Sequence, residues 1–172
     1  ARALEMDPIL SDAWYGLGIC DEIEGNYTDS VIHLRKALEY MPDSEEYWYS
    51  LGEVYAKMGD FQQAVAAYEQ ALEVDETYFE ARFDLASLFW RAGEERKANQ
   101  LLINGMSLHR EEPDFLYHLA AYYYKHNFTA EALVRLQQAL TLDFENHVQF
   151  FEQAPDAMDD LRVMELVHKA KQ

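Results

Sequence analysis

Apolar and polar residues alternate along most of the chain with the period of an amphipathic helix. The clearest stretch is Tyr47–Ala71, which reads YWYSLGEVYAKMGDFQQAVAAYEQA. Apolar residues recur there every three or four positions, which predicts two helices, and Gly59-Asp60 between them predicts a turn. The same skeleton returns when the stretch is shifted by 34 residues in either direction. From Ser11 the chain therefore divides into four blocks: 11–44, 45–78, 79–112 and 113–146.

Small residues recur at fixed positions, counted from the first residue of each block. Position 8 is Gly or Ala in every block, and position 20 is Ser or Ala. We expect these residues to let the two helices of a pair approach closely, while Leu or aromatic residues at positions 4, 7, 11, 24 and 28 fill the remaining space. Because one pair cannot bury its apolar face alone, neighbouring pairs are expected to stack. The left-handed residue that ends a first helix is expected at position 15, which is Gly25, Gly59, Gly93 and Asn127.

Two shorter segments flank the four blocks. Residues 1–10 resemble the end of a second helix followed by Pro8, so we expect them to be the end of a preceding, truncated repeat, with any targeting signals upstream. Residues 147–172 are predicted to form atypical capping helices that cover the end of the stack. Asp156 is predicted to cap a helix that runs through Ala170. One face of that helix carries Met158, Leu161, Met164 and Val167.

The composition limits the classes of partner. The 172 residues are 49% apolar and 27% charged, and the formal net charge is −18. Nucleic acid and anionic membranes bind basic patches, so neither is expected as the main partner, and no apolar run is long enough to insert into a membrane. The acidity is uneven, since residues 1–78 carry 17 acids and 4 bases. The single cysteine, Cys20, excludes an internal disulfide framework and fits a reducing compartment such as the cytoplasm.

The repeat resembles the tetratricopeptide repeat (TPR) family over residues 1–146. The resemblance implies an all-α fold in which helix pairs form a right-handed superhelix, or solenoid, and in which the first helix of each pair lines a concave groove. The third block departs from the family pattern with Arg82 where Trp is typical, and the first block has Asp21 in place of an aromatic residue. In the first block the resemblance rests on Trp14, Leu17, Gly18 and residues 37–42. In the second block it rests on Trp48, Leu51, Gly52, Tyr55, Gly59, Phe61, Ala64, Tyr68 and Ala71.

The chain contains no recognisable catalytic motif, and we expect neither enzymatic activity nor a cofactor. Phosphate-binding glycine loops, metalloprotease helices and serine-hydrolase elbows are all missing from the sequence. Asp114 and His118 are spaced like two metal ligands on one helix, but no third ligand is evident, so no metal site is expected. Cys20 is expected to behave as a small buried apolar residue rather than as a nucleophile.

Aromatic residues recur at a groove position implied by the resemblance. Position 5 is aromatic in all four blocks, as Tyr15, Tyr49, Phe83 and Tyr117, and position 12 adds Trp90 and Tyr124. Exposed rings in a row would form a docking surface. The alternative is that the rings pack against the next helix.

Charged residues recur on both sides of these rings. Position 2 is acidic in every block, Glu53 occupies position 9, and position 13 carries Lys57, Arg91 and Lys125. Acids in a first turn and bases in a last turn also favour the helix macrodipole, so these charges have a structural explanation that does not involve binding.

Three functions are compatible with this pattern. The first is a non-enzymatic scaffold that binds a protein or peptide segment with basic and apolar side chains in the groove. The second is a structural spacer or self-association module of a longer protein. The third is a set of repeats that flanks a catalytic domain outside residues 1–172. The carboxylate clamp by which some TPR domains bind chaperone tails is not expected, because Tyr15, Ile19 and Ser50 replace its Lys and Asn residues.

Overall fold

The computed structural model describes residues 8–171, which form ten α-helices, two short 3₁₀ helices and no strand. The prediction of an all-α fold is therefore confirmed, whereas residues 1–7 of the predicted truncated repeat lie outside the described residues. The 3₁₀ helices are Glu145–His147 and Pro155–Asp159. The α-helices are α1 (Pro8–Glu24), α2 (Tyr27–Tyr40), α3 (Glu45–Met58), α4 (Phe61–Val74), α5 (Phe79–Arg91), α6 (Glu95–Leu108), α7 (Pro113–Lys125), α8 (Thr129–Leu142), α9 (Val148–Gln153) and α10 (Leu161–Ala170).

The chain forms two compact units, with the boundary inside α6. Unit 1 is residues 1–99, and unit 2 is residues 100–172. In unit 1, α1 pairs with α2 and α3 pairs with α4, while α2 also packs on α3 and α4 packs on α5. In unit 2, α7 pairs with α8, α9 packs on α7, and α10 packs on α8.

The turns within the helix pairs depend on left-handed backbone at position 15. Gly25, Gly59 and Gly93 have φ values of 80°, 77° and 77°, and Asn127 has a φ of 65°. These values confirm the predicted left-handed residue in all four blocks. After Gly59, the N–H of Asp60 donates to the Tyr55 carbonyl at 2.9 Å, and the Asp60 carboxylate accepts from the N–H of Gln63 at 3.2 Å to cap α4.

Close helix approach at position 8 is also confirmed in unit 1. A Cβ atom on Gly18 would lie 2.8 Å from Cγ and Cδ2 of Leu34. A Cβ atom on Gly52 would lie 2.6 Å from two ring carbons of Tyr68. Both distances are far shorter than a carbon–carbon contact of about 3.5–4.0 Å, so only glycine fits at these positions of α1 and α3 without a shift of the neighbouring side chain.

The expectation that position 7 is filled in every pair is wrong for the first pair. Leu51 is 3% exposed and lines the same cavity as Leu38 of the preceding helix α2, whereas Leu17 is 49% exposed. The physical reason is that the preceding pair covers position 7, and no helix precedes α1 within residues 8–171. Arg82, the departure at position 4, is buried, and its Nη2 donates to the Glu76 carbonyl.

The C-terminal helix of unit 2 differs from the predicted one. Residues Pro155–Asp159 form a 3₁₀ turn, and α10 begins only at Leu161, where the Asp160 carboxylate caps it by accepting from the Arg162 N–H at 3.0 Å. Asp156 is therefore not the cap. Of the four residues of the predicted apolar face, Met158, Leu161 and Met164 are 56%, 78% and 37% exposed, whereas Val167 is buried. The opposite face carries Val163 and Val167 into a core that also includes Leu136, Leu140, Phe150 and Phe151.

None of the helices in the described range is long and apolar enough to cross a bilayer.

Candidate functional site

The tyrosine hydroxyls at position 5 connect neighbouring first helices in unit 1. Tyr15 of α1 donates to Oε1 of Glu46 on α3 at 3.1 Å, and its oxygen lies 3.2 Å from Oγ of Ser50. Tyr49 of α3 donates to Oδ2 of Asp84 on α5 at 2.9 Å. A hydrogen bond to a carboxylate contributes about 1.5–3 kcal/mol when it is sheltered from water. Of the two possibilities for the position-5 rings, exposure in a row or packing against the next helix, Tyr15 and Tyr49 therefore fit the second.

The ring of Tyr49 also has aromatic neighbours on both sides. Its centroid lies 5.7 Å from that of Tyr68 and 5.3 Å from that of Tyr78, which meets it edge to face. Burial raises the pKa of the Tyr49 phenol, and the nearby Asp84 carboxylate raises it further. Tyr49 and Tyr15 nevertheless remain partly exposed, so part of each side chain is accessible on the surface of unit 1.

Two of the predicted site residues at position 5 are buried, so for them the alternative of packed rings applies. Phe83 of α5 is 8% exposed and contacts Phe79 at a centroid distance of 6.4 Å. In unit 2, Tyr117 is fully buried and its hydroxyl donates to the Asp143 carbonyl. Both rings fill the space between helices, so neither can contact a partner unless its unit opens.

Carboxylates form a stripe across α1, α3 and α5. Glu53 is half-buried, and burial raises the pKa of its carboxyl group, with a further rise from the charge of Glu22 and a smaller one from Asp84. The charge of Lys57 acts in the opposite direction. We define the first-helix face of unit 1 as the surface that carries Tyr15, Glu22, Glu46, Tyr49, Glu53, Lys57 and Asp84.

Lys57, a predicted site residue, is already paired within unit 1. Its Nζ lies 2.5 Å from Oε1 of Glu22, and this hydrogen bond raises the pKa of the Lys57 amine. The first-helix face carries more acid than base, because its carboxylates are Glu22, Glu46, Glu53 and Asp84 and its one base, Lys57, is paired with Glu22. The face therefore suits basic side chains better than acidic ones.

The remaining predicted residues lie in different surroundings. In unit 1, Trp90 is partly buried near the end of α5, and Arg91 is exposed beside it. In unit 2, Lys125 is exposed, whereas the Tyr124 hydroxyl donates to Oδ2 of Asp160 at 3.3 Å and its ring meets Phe150 edge to face. Burial raises the pKa of the Tyr124 phenol, and the Asp160 charge adds to that effect. Tyr124 therefore helps to hold the C-terminal segment of unit 2.

Two further residues of chemical interest have clear positions. Cys20 is exposed on α1, so the expectation that it is buried is wrong, for the same reason as at Leu17. The Asp114–His118 pair is engaged by the protein itself: a ring nitrogen of His118 bonds the Asp114 carbonyl at 2.8 Å, and the Asp114 carboxylate accepts from Gln149. Over residues 8–171, no three His, Cys, Asp or Glu side chains are grouped to hold a metal ion.

Sequence reasoning missed Glu22 and Asp84, which shape the first-helix face as strongly as the predicted residues do. The available signal is a spacing of 35 residues between Tyr49 and Asp84, and again between Glu22 and Lys57. This spacing is one residue longer than the 34-residue repeat. It therefore connects position 5 of one helix pair with position 6 of the next pair, and position 12 with position 13.

Comparisons with known proteins agree with this architecture. The family model for the cytochrome c-type biogenesis protein H TPR domain matches residues 25–147. No sequence among curated proteins shows a significant match. A solved structure of MamA from Desulfovibrio magneticus RS-1 aligns over 94% of this chain and 93% of its own, with a TM-score of 0.56 and 16% identity. A structure of Pseudomonas aeruginosa pilF aligns over 94% of this chain and 76% of its own, with a TM-score of 0.62 and 19% identity.

At these identities the structural likeness establishes the fold alone. The match to the family model covers well over half of the 172 residues and includes all four residues with left-handed backbone. The chain therefore belongs to the family of cytochrome c-type biogenesis protein H TPR domains.

Proposed function

We propose that this protein-interaction scaffold acts without catalysis and binds a peptide segment along the first-helix face of unit 1. The segment carries basic side chains that meet the carboxylates and apolar side chains that meet the partly exposed rings. The single observation that supports the proposal most is the excess of carboxylates there, with Lys57 already paired to Glu22. Trp90 and Arg91 extend the proposed site along α5, whereas Tyr124 and Lys125 of unit 2 stay sequence predictions.

The raised pKa of Glu53 supports a basic ligand. Its carboxylate is half-removed from water and is repelled by the charges of Glu22 and Asp84. Even with Lys57 nearby, its ionised form is therefore disfavoured in the free protein. A Lys or Arg side chain placed beside Glu53 would relieve both the repulsion and the missing solvation. Opposite charges at such an interface also steer the encounter, so association is expected to weaken as salt is added.

The test compares a short synthetic peptide in which Lys alternates with Leu and a matched peptide in which Glu replaces Lys. Fluorescence anisotropy at low and high salt gives the dissociation constant of each peptide. The Lys peptide is expected to bind and the Glu peptide is not. Glu53→Gln is expected to weaken binding of the Lys peptide about three- to tenfold, which corresponds to about 0.7–1.4 kcal/mol.

Glu69→Gln provides the matched control, because Glu69 is an exposed acid on α4, outside the first-helix face. Both variants remove one negative charge and keep the side-chain shape. If Glu69→Gln weakens binding as much as Glu53→Gln, the peptide responds only to net charge and the proposed site is wrong. Unchanged binding in both variants contradicts the proposal as well.

A second candidate function follows from the family match over residues 25–147. The family description names cytochrome c-type biogenesis, and we propose participation in that process as the alternative role of this chain. Deletion of its gene is expected to lower the amount of mature c-type cytochrome, measured by haem staining of separated proteins. Normal levels after deletion would exclude this role without affecting the proposal of peptide binding.

A further inference from the structure

A cavity of about 340 Å³ lies between α6, α7 and α8 in unit 2. Its volume falls within the range of small ligand sites, about 300–1,000 Å³. Arg110 lines it from the turn after α6, Arg135 and Gln138 line it from α8, and Ile103 and Leu116 supply apolar surface. Among the described residues, no Asp or Glu lines this cavity. We call it the arginine cavity.

The two guanidinium groups of the arginine cavity are not neutralised by the protein. None of the ion pairs within residues 8–171 includes Arg110 or Arg135. Nη1 of Arg135 donates to Oε1 of Gln138 at 2.8 Å, whereas its Nε is buried and has no acceptor among the described residues. A buried donor without an acceptor costs free energy, so an anionic ligand that accepts from this guanidinium would be stabilising.

The equivalent place in unit 1 shows that the repeat does not require this charge. Two repeats before the arginine cavity, a cavity of about 530 Å³ lies at the same positions of the sequence pattern and contains both a base, Arg35, and an acid, Glu39. In unit 2, Ser107 stands in the place of Glu39. Arg135 stands in the place of Ala67. These two differences turn a cavity of mixed charge into one that carries bases only.

A phosphoryl group suits a pair of guanidinium groups better than a carboxylate does. A phosphomonoester carries a charge of about −1.5 to −2 at pH 7 and offers three strong acceptor oxygens. A carboxylate carries a single charge and offers two oxygens, which one arginine fork already occupies. Arg110 and Arg135 together supply two positive charges and two forks. Both the charge and the number of donors therefore match one phosphoryl group.

The surface beside the arginine cavity indicates a peptide as the source of the phosphoryl group. An adjoining cavity of about 550 Å³ shares Arg110 and Leu116 with it and continues to two exposed apolar residues of α8, Val134 and Leu142. The one acid that lines this adjoining cavity within the described residues, Glu111, disfavours a second negative charge there. A polynucleotide or an anionic membrane would also be repelled by the net charge of −18.

We propose that the arginine cavity binds a phosphoserine that is flanked by apolar residues in a segment of a partner protein. The phosphoryl oxygens accept from Arg110 and Arg135, and the apolar side chains beside the phosphoserine lie in the adjoining cavity. The inference goes beyond the proposed binding of a basic peptide, because it concerns unit 2 and a ligand of opposite charge. Either proposal can therefore fail without the other.

Fluorescence anisotropy of the 172-residue chain with three labelled peptides tests the choice of ligand. The first peptide carries phosphoserine between leucine and valine residues and has an amidated C-terminus. The other two carry glutamate or unmodified serine at that place. The phosphoserine peptide is expected to bind at least about tenfold more tightly than the glutamate peptide, and the serine peptide is not expected to bind. Equal affinity of the phosphoserine peptide and either matched peptide would overturn the assignment to a phosphoryl group.

Arg135→Ala and Arg110→Gln test the assignment to the arginine cavity. The repeat already has Ala67 at the position of Arg135, and Arg110 is exposed in a turn, so both variants are expected to keep their helicity by circular dichroism. Each is expected to weaken binding of the phosphoserine peptide at least about tenfold. Arg96→Gln is the matched control, because Arg96 is an exposed base of unit 1 outside the cavity, and its affinity is expected to stay within about twofold of the wild type.

Competition experiments distinguish the sources of the phosphoryl group. Inorganic phosphate is expected to displace the phosphoserine peptide only at concentrations at least about a hundredfold above the dissociation constant of the peptide, because it lacks the apolar neighbours. Displacement near that dissociation constant would overturn the peptide as the ligand, as would sedimentation of the protein with phosphatidic acid vesicles without binding of the peptide. Wild-type affinity in both cavity variants, or an equal loss in Arg96→Gln, would overturn the assignment to the cavity.

Discussion

The contact between Gly52 and Tyr68 leads to a quantitative prediction for Gly52→Ala. A Cβ atom at position 52 would lie 2.6 Å from Cδ1 and Cε1 of Tyr68, so an entire ring edge would have to move. Tyr68 is 2% exposed, and its ring packs against Tyr49, so it has little room to retreat. Overpacking of this kind costs about 1–3 kcal/mol. Alanine in a helix gains about 1 kcal/mol over glycine, so the net loss is about 0–2 kcal/mol.

The neighbouring substitution Gly16→Ala separates the steric cost from helix propensity. Gly16 lies inside α1 of the same unit, and an added Cβ atom there would meet nothing within 4 Å. Gly16→Ala is therefore expected to raise the free energy of unfolding by about 1 kcal/mol. Because both variants gain the same helix propensity, the difference between them, about 1–3 kcal/mol, measures the clash at Tyr68 alone.

Urea unfolding followed by far-ultraviolet circular dichroism gives the free energy of unfolding for the wild type and both variants. The urea midpoint is expected to be highest for Gly16→Ala, intermediate for the wild type and lowest for Gly52→Ala. If the clash at Tyr68 is at the small end of its range, Gly52→Ala and the wild type have nearly the same midpoint. Equal midpoints for the two variants would refute the close approach of α3 and α4 at position 52.

The remaining predictions concern the turns and the tyrosines. Gly59→Ala is expected to cost about 1–2 kcal/mol, because φ is 77° there, while Asn127→Gly is expected to gain less than about 1 kcal/mol; thermal unfolding checks both. Burial raises the pKa of Tyr117 and Tyr122 to about 12, so the stability that their neutral forms contribute is complete below the ordinary pKa of about 10 and is lost as the pH rises through 12. If the urea midpoint does not decrease as the pH is raised from 10 to 12, the burial of these two tyrosines is contradicted. Tyr49→Phe is expected to cost about 1–2 kcal/mol through the lost bond to Asp84, again from urea midpoints.

The regularity of the repeat made most of the fold predictable. Small residues and turn residues act through local geometry, so Gly52 and Asn127 behave as their positions indicate. Burial depends instead on whether a neighbouring pair is present. Leu17 and Leu51 occupy the same position in adjacent blocks, yet within residues 8–171 only Leu51 follows another helix pair. No pattern within one block contains that information.

The aromatic row shows the same limit at the candidate site. Tyr49 and Tyr117 share position 5, but the Tyr49 hydroxyl reaches the next first helix, whereas the Tyr117 hydroxyl donates to the carbonyl of Asp143 at the end of α8. The partner that accepts each hydroxyl lies some 26 to 35 residues away along the chain. An aromatic residue that recurs at one position of the repeat therefore has the same place in each helix pair, but it is not equally exposed in each pair. At the C-terminus, the sequence pattern predicted Asp156 as the cap, but residues Pro155–Asp159 form a 3₁₀ turn and Asp160 caps the helix.

Glu53 connects the stability of unit 1 with its proposed function, because Glu53→Gln is expected to change the two in opposite directions. The folded-state pKa of Glu53 is raised, so its stabilising contribution is present below the unfolded pKa and is lost as the pH rises through the folded pKa. At neutral pH the carboxylate of Glu53 therefore destabilises the folded protein. Glu53→Gln is expected to raise the urea midpoint at pH 7. That gain is expected to vanish near pH 3, where Glu53 is protonated in both the folded and the unfolded state.

A residue that only supported the fold would lose stability and binding together. Higher stability with weaker binding of the Lys peptide, and neither change in Glu69→Gln, would mark Glu53 as a binding residue. A lower urea midpoint at pH 7 would contradict the cost of its burial and of its repulsion from Glu22 and Asp84.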